Sequence, residues 1–384
     1  MPRLSVEDAV DAKNYAAIVE ITRQEWNDRH VLVAGLMAIQ QCIDRQKHGE
    51  AEAKVLGAVG ACELVLDAMK DNMESEEVQF YGAQAFRFLA MSSRNILRFE
   101  AKHGLDQLHQ SLVHYVSVPR AIREELWTLA TFLAASEPST RRFLEDMDGA
   151  FVLLQLLERH LDNQDIQQHG CHCLVTMATR FKSRFRDEVI SATGLHLVGL
   201  TKRSSSTVDL LVACVRYVTA LVERSPAVFF DDPAWFPSLF QSHRDHEALV
   251  LELVFLYITL WHASPRHALD ISLHGGLDCV KECLALYLNR RAESTVYELL
   301  RLVHHVFKLS ADDMAILPLV LECQSVYDVH ERLQIEVCCI VRLAAPKAGD
   351  SLANQRGVLL RLQKLHPTSS ILVRECQATL AMLQ

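Results

Sequence analysis

A small residue opening an apolar stretch returns eight times along the 384-residue chain, at Gly60, Gly104, Gly149, Gly194, Ala234, Gly275, Ala315 and Gly357. The gaps are 44, 45, 45, 40, 41, 40 and 42 residues. A period in this range, filled only with helical hydrophobic patterns, specifies a stack of copies in which each unit buries an apolar face its neighbour leaves bare. A chain this long exceeds what a single globular core supports. The repeat decides for a one-dimensional array over several independent domains.

A second marker runs in step with the first. A long apolar-patterned helix closes on a Leu-Ala-like pair in VQFYGAQAFRFLA (78–90), AIREELWTLATFLA (121–134), DIQQHGCHCLVTMA (165–178) and TVDLLVACVRYVTALV (207–222). Leu89, Leu133, Met177 and Leu221 are each 44 residues apart. Further copies lie at 29–43, 247–261, 294–307, 329–344 and 369–383. A short charged helix such as SRNILRFEAKHG (93–104) precedes the small residue, and a medium helix such as AFVLLQLLERHL (150–161) follows it. The unit reads as short helix, sharp bend, medium helix, polar turn, long helix. A residue without bulk suits the bend, where two axes meet steeply. Pro237 and Pro318 follow the bend in two copies, in the first helical turn that tolerates proline. Ser5 and Asp8 have capping-box spacing and start a helix within residues 6–25. No segment carries strand periodicity.

GAFVLLQLL (149–157), GGLDCVKECL (275–284) and WFPSLF (235–240) resemble the bend and second helix of armadillo repeats, and AQAFRFLA and TLATFLA resemble the end of their third helix. The resemblance covers nearly the whole chain. It implies an all-α fold, a right-handed α-solenoid or superhelix of about eight armadillo-like repeats, with HEAT repeats the close alternative. Residues 1–25 are then an N-terminal cap, 26–345 the core repeats and 346–384 a C-terminal capping repeat of a single solenoid.

The resemblance also implies that the long third helices line a concave groove. Aligned on their Leu-Ala ends, they place on its stripe Phe80, Gln84 and Phe88; Glu124, Thr128 and Phe132; Gln168, His172 and Thr176; and Val212 and Arg216. Later copies add Tyr297, Arg301 and His305, then Gln334, Cys338 and Arg342. The helix at 247–261 is apolar all round and gives no register. Aromatic side chains in the N-terminal half and cations in the C-terminal half suit an extended or helical partner segment bearing apolar and acidic residues. Nuclear import adaptors of this fold carry an asparagine near the end of each third helix and a tryptophan one turn earlier. Here those positions read Phe88, Phe132, Thr176 and Ala220, and Gln84, Thr128, His172 and Arg216. The basic N-terminal arm of such adaptors is absent as well.

The densest Cys/His cluster is HGCHC, in which His169, His172 and Cys173 share a helical face that could start a metal site. No second ligand pair sits at metal spacing nearby, so neither a metal nor another cofactor is expected, and small thiols packed in a helix are the simpler reading. RFKSRFRDE (180–188) reads as a basic loop pegged by Phe181 and Phe185, and TKRSSST (201–207) as a loop open to basic-directed phosphorylation. EDMDG (145–149) lacks the later acidic residue of a calcium loop. No phosphate-cradling loop, zinc-protease motif or nucleophile elbow is present, and catalysis is not expected.

The net charge of −9 argues against a general nucleic-acid binder. The longest apolar run, 14 residues from Ala248 to Trp261, is too short for membrane insertion. Eleven cysteines without framework spacing suit a reducing compartment. The expectation is a cytoplasmic protein, with the nucleus, cytoskeleton and cilium as further locations, that works as a non-catalytic protein–protein interaction scaffold or adaptor within a larger assembly. The alternatives are a cargo adaptor reading linear peptides and a metal- or redox-regulated protein using residues 169–173.

Overall fold

The structure, a computed structural model, describes residues 5–43, 49–203, 206–309, 314–348, 352 and 354–383. Every regular element among them is helical. The chain divides into two compact units, Met1–Leu197 and Val198–Gln384.

The long helices are numbered α1 (Arg29–Cys42), α2 (Glu76–Leu89), α3 (Pro119–Ala135), α4 (Gln164–Phe181), α5 (Val208–Leu221), α6 (Glu247–Ala263), α7 (Glu293–Leu309), α8 (Glu331–Ala348) and α9 (Ser370–Met382). In the first unit α1 to α4 pack side by side in chain order; in the second α5 to α9 do the same. The polar turns before them supply caps. Asp28, Ser75, Asn163, Thr207 and Ser369 each accept a bond from a backbone N–H two or three residues on, satisfying donors that a helix start leaves without partners. α3 opens instead on Pro119.

One flank of each layer is covered by the medium helices. Ala61–Asp71 packs on α2, Gly104–His114 on α3 and Gly149–Arg159 on α4; Leu277–Asn289 packs on α7, Leu317–Val326 on α8 and Gln355–Leu365 on α9. Aromatic side chains fill the space between. In the first unit Phe86 stacks on Phe99 with Phe132 edge-on at 5.3 Å; in the second Phe236 leans on Tyr257 at 5.0 Å.

Two kinds of polar fastener recur. Gln79 donates to the carbonyls of Met69 and Asn72, Gln167 to those of Leu157 and His160, and Gln334 to those of Gln324 and Tyr327, at 2.6–3.1 Å. Each glutamine thus ties off the end of a medium helix from the first turn of the next long one. Gln334, expected in the groove, is buried in that role. The second fastener joins copies. Tyr115 donates to Met73 O at 2.7 Å, His160 Nε2 to Val116 O at 2.8 Å, Tyr287 to Arg244 O at 3.0 Å and His366 Nε2 to Asp328 O at 2.9 Å. In each case the ring at the end of a medium helix reaches the polar turn of the preceding copy.

The small residues of the repeat serve different ends. Gly60 and Gly275 are themselves left-handed, with φ of 94° and 96°. In two other bends His103 and Asp148 take that conformation, and the glycine after each opens the helix under an aromatic ring. Gly194 and Gly357 do not sit at bends; they lie inside the helices Asp187–Thr201 and Gln355–Leu365. At the N-terminus the capping box of Ser5 and Asp8 forms as expected, but residues 6–24 make two helices, Val6–Asp11 and Tyr15–Gln24.

Candidate functional site

The medium helices leave the opposite flank of each long-helix layer open. In the first unit Gln84 on α2 and Gln168, His172 and Thr176 on α4 are exposed or half-buried on that flank. On α3 the expected stripe is displaced by one residue. Glu124, Thr128 and Phe132 are buried. Phe132 is captured by Phe86 and Phe99, while Thr128 donates to Ala83 O at 2.8 Å and so fits into the seam between α2 and α3. A one-residue slip turns a helix by about 100°, and Arg123, Trp127 and Thr131 therefore take the open flank. Phe80 and Phe88 are also buried, Phe80 beneath the Arg120 guanidinium at 4.2 Å and Phe88 beside that of Arg87 at 5.1 Å.

Trp127, absent from the expected stripe, is the centre of the arrangement. The Arg87 guanidinium lies 3.6 Å from one face of the indole, and the His169 ring stacks on the other at 5.0 Å and 11°. Glu124 sits beneath, 3.3 Å from both Arg87 and Arg123. Burial, then the neighbouring His172, Arg87 and Arg123, pushes His169 down to about 4 despite the opposing pull of Asp165, so its ring stacks neutral. Three successive long helices thus contribute one side chain each to a single tower. With both faces of the indole covered, what it offers a partner is its edge, and the residue remains 37% exposed. The signal was present in the sequence: Trp127 lies next to the position where the import pattern places its tryptophan.

The HGCHC segment does not converge on a metal. His169 is committed to the tower, Cys171 and Cys173 are buried, and the Cys173 thiol points to Leu126 O at 3.8 Å. Burial pushes that thiol far up, leaving it protonated and unreactive. Among the described residues no group of three or more His, Cys, Asp or Glu side chains is placed to hold an ion. In the basic loop Phe185 is a buried peg, with Arg184 and Arg186 ion-paired to Glu145 and Asp148. Ser204 and Ser205 of the TKRSSST loop lie outside the described residues.

In the second unit Arg216, Tyr297, Arg301, His305 and Arg342 are exposed or half-buried on the open flank. The structure also sets the register of α6, which presents Leu251, Glu252, Phe255, Thr259 and His262. The arginines there, and the neighbouring His304 imidazole, are answered from within the chain. Arg216 pairs with Glu252 at 2.7 Å, Arg301 with Glu298 at 2.6 Å, His304 with Glu336 at 2.6 Å and Arg342 with Glu375 at 2.9 Å. Three of the four carboxylates come from the next long helix, so the stripe is a compensated ladder between copies. His305 packs edge-on to His262 at 4.7 Å, and burial, reinforced by the neighbouring His262, Lys308, His304 and Arg301, pushes it down to about 4. Cys338 is buried, its sulfur 3.7 Å from that of Cys376.

No protein-family model matches the chain, and no curated protein sequence does. Solved structures do. An engineered protein from a structural genomics consortium superposes with a TM-score of 0.74 at 17% identity, covering 100% of this chain and 92% of the other. Computationally designed armadillo repeat proteins for modular peptide recognition give 0.51 at 14% identity over 64% of this chain and 99% of theirs. The fold is that of an armadillo-like solenoid. A structure from work on a phosphorylation switch controlling the interaction between cadherin and beta-catenin matches this solenoid with a TM-score of 0.70 at 13% identity, over 100% of this chain and 74% of that one. Identities this low speak to the fold. Within it, the armadillo-like arrangement sets the long helices in rows, and each row presents the open flank described above.

Proposed function

We propose that this protein is a non-catalytic scaffold that holds a segment of another protein along the open flank of its long helices. The observation that carries the reading is the Arg87–Trp127–His169 tower, an exposed tryptophan edge braced by three consecutive copies and propped by Glu124. A rigid, partly exposed aromatic of this kind is what protein interfaces use as an anchor. The designed neighbours were made for modular peptide recognition, which supports the same reading. Of the acidic partner character expected from the cationic stripe, little support is left, since its three arginines already have carboxylates. Apolar contact is the part of the expectation that the geometry favours.

No helix among the described residues is long and apolar enough to cross a membrane. Eleven free cysteines, ten of them buried, support a reducing setting, and we place the scaffold in the cytoplasm as part of a larger assembly. The test is co-purification of partners with the wild-type chain and with Trp127→Ala, scored by quantitative mass spectrometry. Loss of an anchor of this kind costs about 2 kcal/mol, roughly thirtyfold in affinity. Equal recovery of every partner by both proteins removes the proposal.

A further inference from the structure

The open flank of the second unit contains a cleft of about 670 Å³ whose walls come from three successive copies: Leu251 and Phe255 of α6, Tyr297 of α7 and Val329 in the turn before α8. Phe255 is 39% exposed and Val329 67%. Two large apolar side chains left open in one recess mark a docking point more strongly than scattered ones do.

The charges around the recess run opposite to the sequence expectation. Three glutamates line it, Glu293, Glu298 and Glu331, against Arg332 and His330. Glu298 is neutralised by Arg301 at 2.6 Å. Glu293 lies 2.7 Å from His330 Nδ1, and Glu331 accepts a bond from the Ser369 hydroxyl, which brings no charge. Glu293 and Glu331 thus share the rim with a single arginine, Arg332, so that carboxylates outnumber it beside the apolar walls. The whole chain, at −9, adds a field of the same sign.

We propose that this cleft is the anchor point of the second unit, and that it receives a bulky apolar side chain from a protein segment carrying lysine or arginine beside it. The apolar side chain fills the recess between Phe255, Tyr297 and Val329, and the neighbouring cation meets Glu293 and Glu331 at the rim. The inference rests on the scaffold reading and adds the chemistry of the segment. It also reverses the sign expected from Arg216, Arg301 and Arg342, because those cations are spent on the ladder.

The test uses the full chain and two labelled dodecapeptides with the same central Leu-Trp pair, one flanked by lysines and the other by glutamates, followed by fluorescence anisotropy. The lysine peptide is expected to bind at least tenfold more tightly than its glutamate twin. Phe255→Ala is expected to weaken it at least tenfold, and Glu331→Gln about threefold with a shallower salt dependence. Should Phe255→Ala fail to fold, Val329→Ser, at a more exposed position, replaces it. A preference for the glutamate peptide, no binding of either, or indifference to both cleft variants overturns the proposal. If partners co-purified with the wild type are lost with Trp127→Ala but kept with Phe255→Ala, the scaffold stands and only this cleft assignment fails. If neither variant loses them, both fail.

Discussion

Glu125 is a buried carboxyl in the middle of α3 with the Ser111 hydroxyl as its hydrogen-bond partner. Burial raises it to about 8, the serine bond only partly opposing the shift. An acid whose folded pKa lies above its unfolded value stabilises the fold fully below the unfolded pKa and loses that contribution as pH climbs through the folded one. His169 and His305, held neutral, act in the other direction, but only below about 6.5. Between pH 6.5 and 8 the glutamate therefore dominates. Unfolding stability should fall by about 2 kcal/mol over that window, and Glu125→Gln should remove most of the fall while raising the melting temperature at pH 8. Urea titrations of both proteins at the two pH values check this; parallel slopes for wild type and variant contradict it. Gln167 offers a second test. Gln167→Leu leaves the carbonyls of Leu157 and His160 without their side-chain donor and should cost 1–3 kcal/mol in the same assay, whereas no loss means water serves equally well. At this scale the sequence was least legible. Glu124, Thr128 and Phe132 have the spacing of an exposed stripe, and only the neighbouring helix, by capturing Phe132 and Thr128, decides that Trp127 faces out. That information resides in α2, not in α3.

Whole helices were much easier to read, because their periodicity extends over many residues and each boundary carries chemistry: Ser75, Asn163 and Ser369 as caps, Pro119 and Pro237 in first turns. The bends were legible in position but not in cause. A glycine at the marker looks the same in sequence whether it supplies a left-handed residue, clears an aromatic ring or fills a helix interior. The contrast is testable. A Cβ on Gly149 would stand 2.4 Å from the Phe143 ring and 2.6 Å from its carbonyl oxygen, whereas one on Gly357 meets nothing within 4 Å. Gly149→Ala should destabilise by about 2 kcal/mol or more, and Gly357→Ala, inside a helix, should stabilise by about 0.5–1 kcal/mol. Similar costs at both positions, measured by thermal unfolding, would refute the distinction. The helix at 247–261 had no readable register because its apolar residues occupy every face; packing between α5 and α7 chooses Leu251 and Phe255 for the open side.

For the molecule as a whole, the repeat fixed the class of fold before any contact was known, since a period of 40–45 residues built from helices admits few other solutions. What the sequence could not carry was the state of charge of the open flank. Arg216, Arg301 and Arg342 looked available because their carboxylates lie 36, 3 and 33 positions away, and two of these become neighbours only when copies stack. The same stacking builds the Trp127 tower from residues about 40 apart. The central claim is that partners are held on the open flank and not on the side of the short and medium helices. Hydroxyl-radical footprinting of the full chain with and without a co-purified partner tests it most directly. Protection is expected at Trp127 and Phe255, with no change at Phe151 or Leu97, which are exposed on the helices Gly149–Arg159 and Ser93–Ala101. Protection of Phe151 and Leu97 while Trp127 and Phe255 stay fully reactive would contradict the account.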